Sequence, residues 1–120
     1  MSRIVLDGRL ILIVEGEAWI ALDIARAFGH AGARVVTAST LRDALLQVDS
    51  NSISAAILDH RLGSREIAGL CERLKARAIP FVIYSDHERI AGACLEGPLV
   101  HKPADPAVLV TAVKSLLSTG

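Results

Sequence analysis

Polar side chains follow apolar segments of the chain at the points where those segments end. Glu15 follows a five-residue apolar run, Asp59 closes a second run, and Ser85 follows a third. Lys102 comes shortly after a fourth segment, Leu99–Val100. Two carboxylates, a hydroxyl and an amine can together bind a metal ion, stabilise an anion or attack an electrophile. If these segments are strands of one parallel sheet, the four side chains meet at its carboxyl edge, where such sheets bind their ligands.

Strand-like and helix-like hydrophobic periods alternate along the chain, which predicts an α/β fold. The near-continuous apolar runs are typical of strands buried on both faces of a parallel sheet. Ser39 or Thr40, Ser64 and Asp105 are predicted helix N-caps, and residues 49–52 predict a turn. The predicted strands are residues 9–14, 34–38, 53–59, 81–84 and 98–101, and the predicted helices are 17–31, 41–48, 64–74, 86–95 and 106–117. We therefore expect one domain, residues 1–120, with a (βα)5 doubly wound, five-stranded parallel sheet of flavodoxin-like architecture.

The composition limits the classes of function. Hydrophobic residues make up 52% of the 120 residues and aromatic residues only 3%, so the core is predicted to be aliphatic. Thirteen basic residues balance thirteen acidic ones, which argues against direct nucleic-acid binding through phosphate contacts. No apolar run reaches the length of a membrane span or resembles a signal peptide. We expect a soluble cytoplasmic protein that does not bind a membrane.

The cysteines and histidines lack the spacing of a metal site. Cys71 and Cys94 fit no CxxC or zinc pattern, and we expect two buried thiols in a reducing cytoplasm. His60, His87 and His101 fall at strand ends without zinc-ligand spacing, and we expect them to face solvent.

The order of the strand-end motifs resembles that of the receiver domain of bacterial two-component response regulators. The matching pieces are Ile11–Glu15, Ile57–Asp59 with Leu62 three residues on, Ser85, and Lys102–Pro103. The resemblance extends from Arg9 to Leu117, and residues 58–63 and 79–81 look closest to small stand-alone regulators of alphaproteobacteria. It implies the same fold that the periodicity predicts.

The resemblance also implies a role for each site residue. Asp59 is expected to accept a phosphoryl group from a histidine kinase or a phosphotransfer protein. Lys102 and Ser85 are expected to contact that phosphoryl group, with Pro103 a candidate cis proline after the lysine. Mg²⁺ is the expected cofactor, held by Glu15, Asp59 and the backbone carbonyl of Arg61.

The implied activity is signalling rather than enzymatic turnover. We expect a stand-alone receiver, not an enzyme, that changes its binding to an unidentified output protein. The expected contact face comprises the fourth predicted helix, the fifth strand and the last helix with Lys114. No output domain is expected after the last helix, and a homodimer is among the oligomeric states left open.

Three positions depart from the family pattern. Gly16 stands where the family usually has the second acid, so Mg²⁺ binding is expected to be weaker unless Glu17 or Arg61 compensates. Leu99 stands where an aromatic switch residue is common, and Asp86 adds a negative charge directly after Ser85.

These departures keep other classes open. A degenerate pseudo-receiver would use the fold as a phosphorylation-independent interaction module. A small phosphohydrolase would need a second acid two residues after Asp59, where Arg61 stands. A nucleotide-binding module would need a glycine-rich loop after the first strand, and Glu15 and Glu17 there would repel phosphate.

Overall fold

Five parallel strands form one sheet in the order β2-β1-β3-β4-β5. A computed structural model of the protein describes residues 6–59, 64–85, 94, 97–102 and 104–118. The strands are β1 (Leu10–Val14), β2 (Arg34–Ala38), β3 (Ala55–Asp59), β4 (Phe81–Ser85) and β5 (Leu99–His101), and the helices of the described residues are α1 (Ala18–His30), α2 (Leu41–Ser50), α3 (Ser64–Ala76) and α4 (Pro106–Ser118). The predicted α/β fold with a five-stranded parallel sheet is confirmed. The predicted helix over residues 86–95 lies outside the described residues, apart from Cys94.

The sheet is buried on both faces because helices pack against each of them. One core layer joins the sheet to α2 and α3 through residues such as Leu12, Leu58 and Leu70. The other joins it to α1 and α4 through residues such as Ile13 and Phe28. Every residue of β1, β3 and β4 is buried, which explains why these strands read as continuous apolar runs rather than as alternating ones.

The strand register aligns the carboxyl ends of the central strands. Val14 pairs with Leu58 across β1 and β3, and Asp59 pairs with Tyr84 across β3 and β4. Ser85 pairs with His101 at the end of β5. The register therefore brings the residues that follow or close these strands to one edge of the sheet.

The prediction of two free buried thiols is wrong, because Cys71 and Cys94 form a disulfide. Cys71 lies on the inner face of α3, and both cysteines belong to the core layer beneath that helix. Their Cα atoms are 5.2 Å apart, within the range that a disulfide spans without backbone movement. Residues 23 positions apart in sequence carried no spacing signal for this pairing.

Helix α2 is longer than predicted. It continues to Ser50, so part of the predicted turn over residues 49–52 is helical. Asp49 accepts hydrogen bonds from Arg73 of α3 and from Arg77, the residue after that helix, at 2.7 and 2.9 Å. These contacts connect the last turn of α2 to the C-terminal end of α3. The guanidinium of Arg73 lowers the pKa of Asp49 below its usual value.

The helix caps that the structure describes agree with the sequence. The Thr40 hydroxyl accepts a hydrogen bond from the Asp43 amide at 3.1 Å, which caps α2. The Asp105 carboxylate accepts one from the Ala107 amide at 2.9 Å, at the start of α4. Within the described residues, none of the helices combines the length and the hydropathy that a membrane span requires.

Candidate functional site

Three polar side chains are buried where the central strands end. Glu15 and Asp59 are each only 3% exposed and Ser85 is fully buried. They are the buried polar residues of the described part of the chain, and all three were predicted from sequence as site residues. Burying charged groups is unfavourable unless partners compensate them, so the contacts of this cluster decide what it can do.

Lys102 supplies the positive charge of the cluster. Its Nζ lies 3.0 Å from Oδ1 of Asp59 and 3.6 Å from Oε1 of Glu15. The Lys102 amide also donates to the Ser85 carbonyl at 2.8 Å, which continues the β4–β5 hydrogen-bond ladder beyond His101. The backbone of Lys102 is therefore fixed by β4 and its side chain by the carboxylates.

Tyr84 is a site residue that the sequence reading missed. Its ring lies under Lys102, with Nζ 4.9 Å from the ring centroid, a cation–π distance. Its hydroxyl donates to the Ala104 carbonyl and accepts from the Ala104 amide, each at 3.3 Å. The sequence feature that could have revealed Tyr84 is its hydroxyl, because a tyrosine directly before Ser85 at the end of a buried strand needs a hydrogen-bond partner near the site.

The two carboxylate oxygens of Glu15 differ in their contacts, because one accepts a hydrogen bond and the other has only the longer ion-pair contact with Lys102. Its Oε2 accepts a hydrogen bond from the Glu17 amide at 3.0 Å, whereas its buried Oε1 has no hydrogen-bond partner among the described residues. Burial raises the pKa of Glu15, and the nearby Asp59 carboxylate raises it further. The Glu17 amide and the Lys102 charge act in the opposite direction on this pKa.

Glu17 turns its carboxylate toward the surface indole of Trp19. The Trp19 Nε1 donates to Oε2 of Glu17 at 2.9 Å, and Trp19 is 69% exposed. One oxygen of the Glu17 carboxylate is thereby engaged next to the first turn of α1. The hypothesis that Glu17 replaces the missing acid at Gly16 gains no support from this geometry.

The two carboxylates fit a divalent cation whose remaining ligands are water molecules or oxygens of a substrate. Mg²⁺ is commonly bound by one or two carboxylates together with phosphate oxygens and water. Glu15 and Asp59 provide two carboxylates, and the unpartnered Oε1 of Glu15 is an oxygen that lacks a donor. No cluster of three or more acidic, histidine or cysteine ligands occurs among the described residues, so a complete protein cage is not built there.

Several predicted features lie elsewhere or outside the described residues. His101 is exposed, as predicted, and Leu99 is half-buried against the core layer under α2 and α3. Arg61, Asp86 and Pro103, with the carbonyl, charge and cis-proline hypotheses attached to them, lie outside the described residues, as do His60 and His87.

A cleft between α1 and the start of α4 leads to Lys102. It encloses about 240 Å³, and its walls include Trp19, Asp23, Tyr84 and Pro106. The lysine is consequently reached from a surface that combines an exposed indole with a carboxylate.

The edge of the sheet thus combines a buried aspartate at the end of β3, an acid after β1, a hydroxyl at the end of β4 and a lysine after β5. Solved structures of receiver domains share the fold of the chain. A CheY-like response regulator receiver domain protein from Methanospirillum hungatei superposes with a TM-score of 0.83 at 19% identity, covering 94% of this chain and 96% of that one. A CheY-like receiver domain from Methylobacillus flagellatus gives 0.78 at 23% identity over 92% and 99% of the two chains.

A response regulator receiver protein from Sinorhizobium medicae gives a TM-score of 0.74 at 25% identity, covering 94% of this chain and 97% of that one. No protein-family model and no curated protein sequence matches the chain. The chain has the fold of CheY-like response regulator receiver domains, and the predicted resemblance is confirmed at that level.

Proposed function

We propose that the chain accepts a phosphoryl group on Asp59 from a phosphohistidine of a histidine kinase or phosphotransfer protein. The contact between Lys102 Nζ and Asp59 Oδ1, at 3.0 Å, is the observation that carries the proposal. Phosphoryl transfer depends mainly on positioning and on electrostatic stabilisation of the phosphoryl oxygens. A buried carboxylate with a fixed ammonium beside it supplies both.

In the proposed step an oxygen of Asp59 forms a bond to phosphorus while the bond from phosphorus to the donor imidazole breaks. The imidazole leaves with the electron pair of that bond. Lys102 then pairs with a phosphoryl oxygen instead of with the free carboxylate. The Ser85 hydroxyl, buried at the end of the neighbouring strand, would donate to another of these oxygens.

Mg²⁺ belongs to the proposal as the cofactor. Glu15 and Asp59 would hold it, and it would neutralise charge shared between the carboxylates and the phosphoryl oxygens. The exposed Gly16 contributes no ligand at the position after Glu15. We therefore expect weak metal binding that becomes stronger once the phosphoryl group adds its own oxygens.

Acetyl phosphate with Mg²⁺ tests the proposal, since it replaces the protein donor by a small one. We expect the intact mass to increase by one phosphoryl group, and we expect the Asp59→Asn variant to remain unmodified. Asp49→Asn is the matched control, because Asp49 is an exposed aspartate on α2 away from the site. It should be modified like the wild type.

Absence of labelling under conditions that modify ordinary receivers would contradict the proposal and favour the phosphorylation-independent module. That alternative is not favoured, because Lys102 still contacts Asp59 and Ser85 is still buried beside them, although a module that no longer accepts a phosphoryl group would need neither feature. Labelling of Asp59→Asn to the wild-type extent would place the acceptor at another residue.

The output of the proposed domain is altered binding to another protein, without catalytic turnover of its own. A cytoplasmic location, where histidine kinases present their phosphohistidine, is part of the same proposal. The kinase and the output partner are unidentified, and pull-down with the phosphorylated chain against the Asp59→Asn variant would distinguish state-dependent partners from others.

A further inference from the structure

The disulfide connects the two flanks of the candidate site. Cys71 lies on α3, the helix that begins five residues after Asp59. Cys94 lies just ahead of residues 97–102, which we call the β5 arm because they form β5 and end in Lys102. The disulfide therefore links α3, the helix that follows β3 and Asp59, to the β5 arm, which carries Lys102.

Backbone hydrogen bonds join the β5 arm to Cys94 at its start and to β4 along its length. The Gly97 amide donates to the Cys94 carbonyl at 3.2 Å, and the Ile83 amide donates to the Pro98 carbonyl at 2.9 Å. The β5 ladder follows, and the Lys102 amide donates to the Ser85 carbonyl at 2.8 Å.

Gly97 packs closely against β4 at the start of the arm. A Cβ added there would lie 2.5 Å from the Phe81 carbonyl oxygen and 2.6 Å from its ring. The start of the β5 arm thus packs closely against β4. Cys94, which precedes the arm in sequence, is attached to α3 through the disulfide. Cys94 is three residues before Gly97 in sequence and accepts the hydrogen bond of the Gly97 amide.

Both redox states of the cysteine pair are compatible with the fold. The two residues are 0% and 2% exposed among aliphatic neighbours such as Leu70, Leu74 and Ile83. Free cysteine behaves as a small hydrophobic residue in such a setting. A domain of 120 residues can also bury a sufficient core without a crosslink. We therefore expect the chain to fold without the bond, and we expect its loss to leave the β5 arm less constrained.

We propose that Cys71 and Cys94 form a reversible redox pair whose oxidised state fixes the β5 arm and, through it, Lys102. Its substrates are small thiols and disulfides, which reach the buried sulfurs only when the fold opens locally. On reduction by a dithiol, one thiolate attacks a cystine sulfur, the other cysteine leaves as a thiolate that takes up a proton, and the second dithiol sulfur then releases the first cysteine. The protein gains two electrons and two protons, and the dithiol becomes a cyclic disulfide. The consequence for Asp59 rests on the proposed function, whereas the effect on the arm does not.

The first experiment measures the redox chemistry on the full chain. Protein purified without reductant should contain no titratable thiol under denaturing conditions, and incubation of the native protein with dithiothreitol should expose two thiols per chain. Oxidised glutathione should remove them again. Thiols that are present from the start and do not oxidise, or a bond that native protein never loses to dithiothreitol, would overturn the proposal.

The second experiment locates the effect by hydrogen exchange of the oxidised and reduced forms. Amides of the β5 arm should exchange about fivefold faster after reduction, while those of β1 and β2 should not change. The double variant Cys71→Ala/Cys94→Ala should match the reduced form and should not respond to dithiothreitol. Equal exchange in both forms, or faster exchange throughout the sheet, would show that the pair does not act on the arm.

The third experiment follows labelling of Asp59 by acetyl phosphate. We expect the rate to fall about fivefold on reduction and to recover on reoxidation, the size of a typical coupling between sites. Equal rates would overturn control of Asp59 by the pair. If neither form is labelled, the proposed phosphoacceptor function fails, and exchange of the β5 arm still decides the redox proposal.

Discussion

The candidate site has a cation side, formed by Lys102 and Tyr84, and an acid side, formed by Glu15 and Gly16. The two sides differ in how many contacts within the chain hold their charged groups. On the cation side, Lys102 contacts both carboxylates, its amide is bound to β4, and the Tyr84 ring lies under its charge. On the acid side, Oε1 of Glu15 is buried without a hydrogen-bond partner among the described residues, and Gly16 next to it is exposed. The cation side is organised by contacts within the chain, whereas on the acid side one carboxylate oxygen accepts no hydrogen bond from the described residues.

This difference indicates where the site obtains its selectivity. A preorganised ammonium contributes to transition-state stabilisation without reorganisation at the moment of transfer. Under the proposed function, an incomplete acid side would bind a bare cation weakly and would gain from a cation that arrives with phosphoryl oxygens. Lys102 contacts Asp59 in this structure, and the proposed phosphorylation would replace that partner of the lysine by a phosphoryl oxygen.

Removing the cation should have the largest effect. In Lys102→Met the stem remains and the charge is lost, so Glu15 and Asp59 face each other uncompensated. We expect labelling by acetyl phosphate to slow by about 10²–10³-fold, the usual loss when one fixed stabilising donor is removed. Lys75→Met, the same change at the end of α3 away from the site, is the control and should label normally. A loss below about threefold would show that the cation side is not what stabilises the transfer.

Much of this comparison was accessible from the sequence, because each central strand is an apolar run that ends in a polar residue. Continuous apolar runs of this length indicate fully buried parallel strands, and the carboxyl ends of such strands lie at one edge of the sheet. Glu15, Asp59, Ser85 and Lys102 were therefore predicted as neighbours, and the structure brings them together. Thr40 and Asp105 were predictable as caps for a similarly local reason.

The features that the sequence did not reveal all depend on contacts between distant segments. The Cys71–Cys94 bond requires α3 to pack beside the start of the β5 arm, which no local pattern encodes. The last turn of α2 is stabilised by the contacts of Asp49 with Arg73 of α3 and with Arg77 just after that helix. Tyr84 could not be distinguished from the other residues of β4 by sequence, because its hydrogen-bond partner Ala104 lies twenty positions later, after β5.

Completing the acid side should sharpen the comparison. Gly16→Asp adds a carboxylate beside Glu15, and Gly16 can carry a side chain, because the glycines with positive φ in the described residues are Gly8 and Gly32. We expect Mg²⁺ affinity to rise about tenfold with the added ligand charge. Titration followed by Trp19 fluorescence reports it, since the indole is bound to Glu17, whose amide binds Glu15.

The isosteric variant Gly16→Asn is the control for this titration, because it adds the same bulk without the charge. It should bind Mg²⁺ with an affinity close to that of the wild type. Equal gains in the two variants would attribute the effect to loop geometry, and no gain in either would show that the acid side does not limit metal binding.

A smaller effect is expected when the support beneath Lys102 is removed in steps. Tyr84→Phe keeps the ring under the ammonium and deletes the hydroxyl, which leaves the Ala104 backbone groups without that partner. We expect a loss of about 1 kcal/mol in the free energy of unfolding. Tyr84→Leu removes the ring as well and should cost about 1 kcal/mol more. Urea unfolding followed by circular dichroism measures both, and identical stability of the two variants would show that the ring contributes nothing.

The smallest net effect should come from Glu15→Gln, because the terms acting on Glu15 oppose each other. Burial and the Asp59 charge disfavour its ionised form, whereas the Glu17 amide and Lys102 favour it, and the balance raises its pKa above the reference value of 4.5. A raised folded-state pKa means that the folded protein binds the proton more tightly than the unfolded chain. The resulting stability is complete below pH 4.5 and is lost as pH rises through the folded-state pKa.

At neutral pH the ionised Glu15 consequently costs stability, and Glu15→Gln should unfold at a higher urea concentration than the wild type. The difference should disappear below about pH 4.5, where Glu15 is protonated in both states. Both curves need a chelator, because a divalent cation would favour the carboxylate. A variant that is less stable than the wild type at pH 7 would mean that Lys102 already compensates Glu15 fully, and the acid side would then be as complete as the cation side.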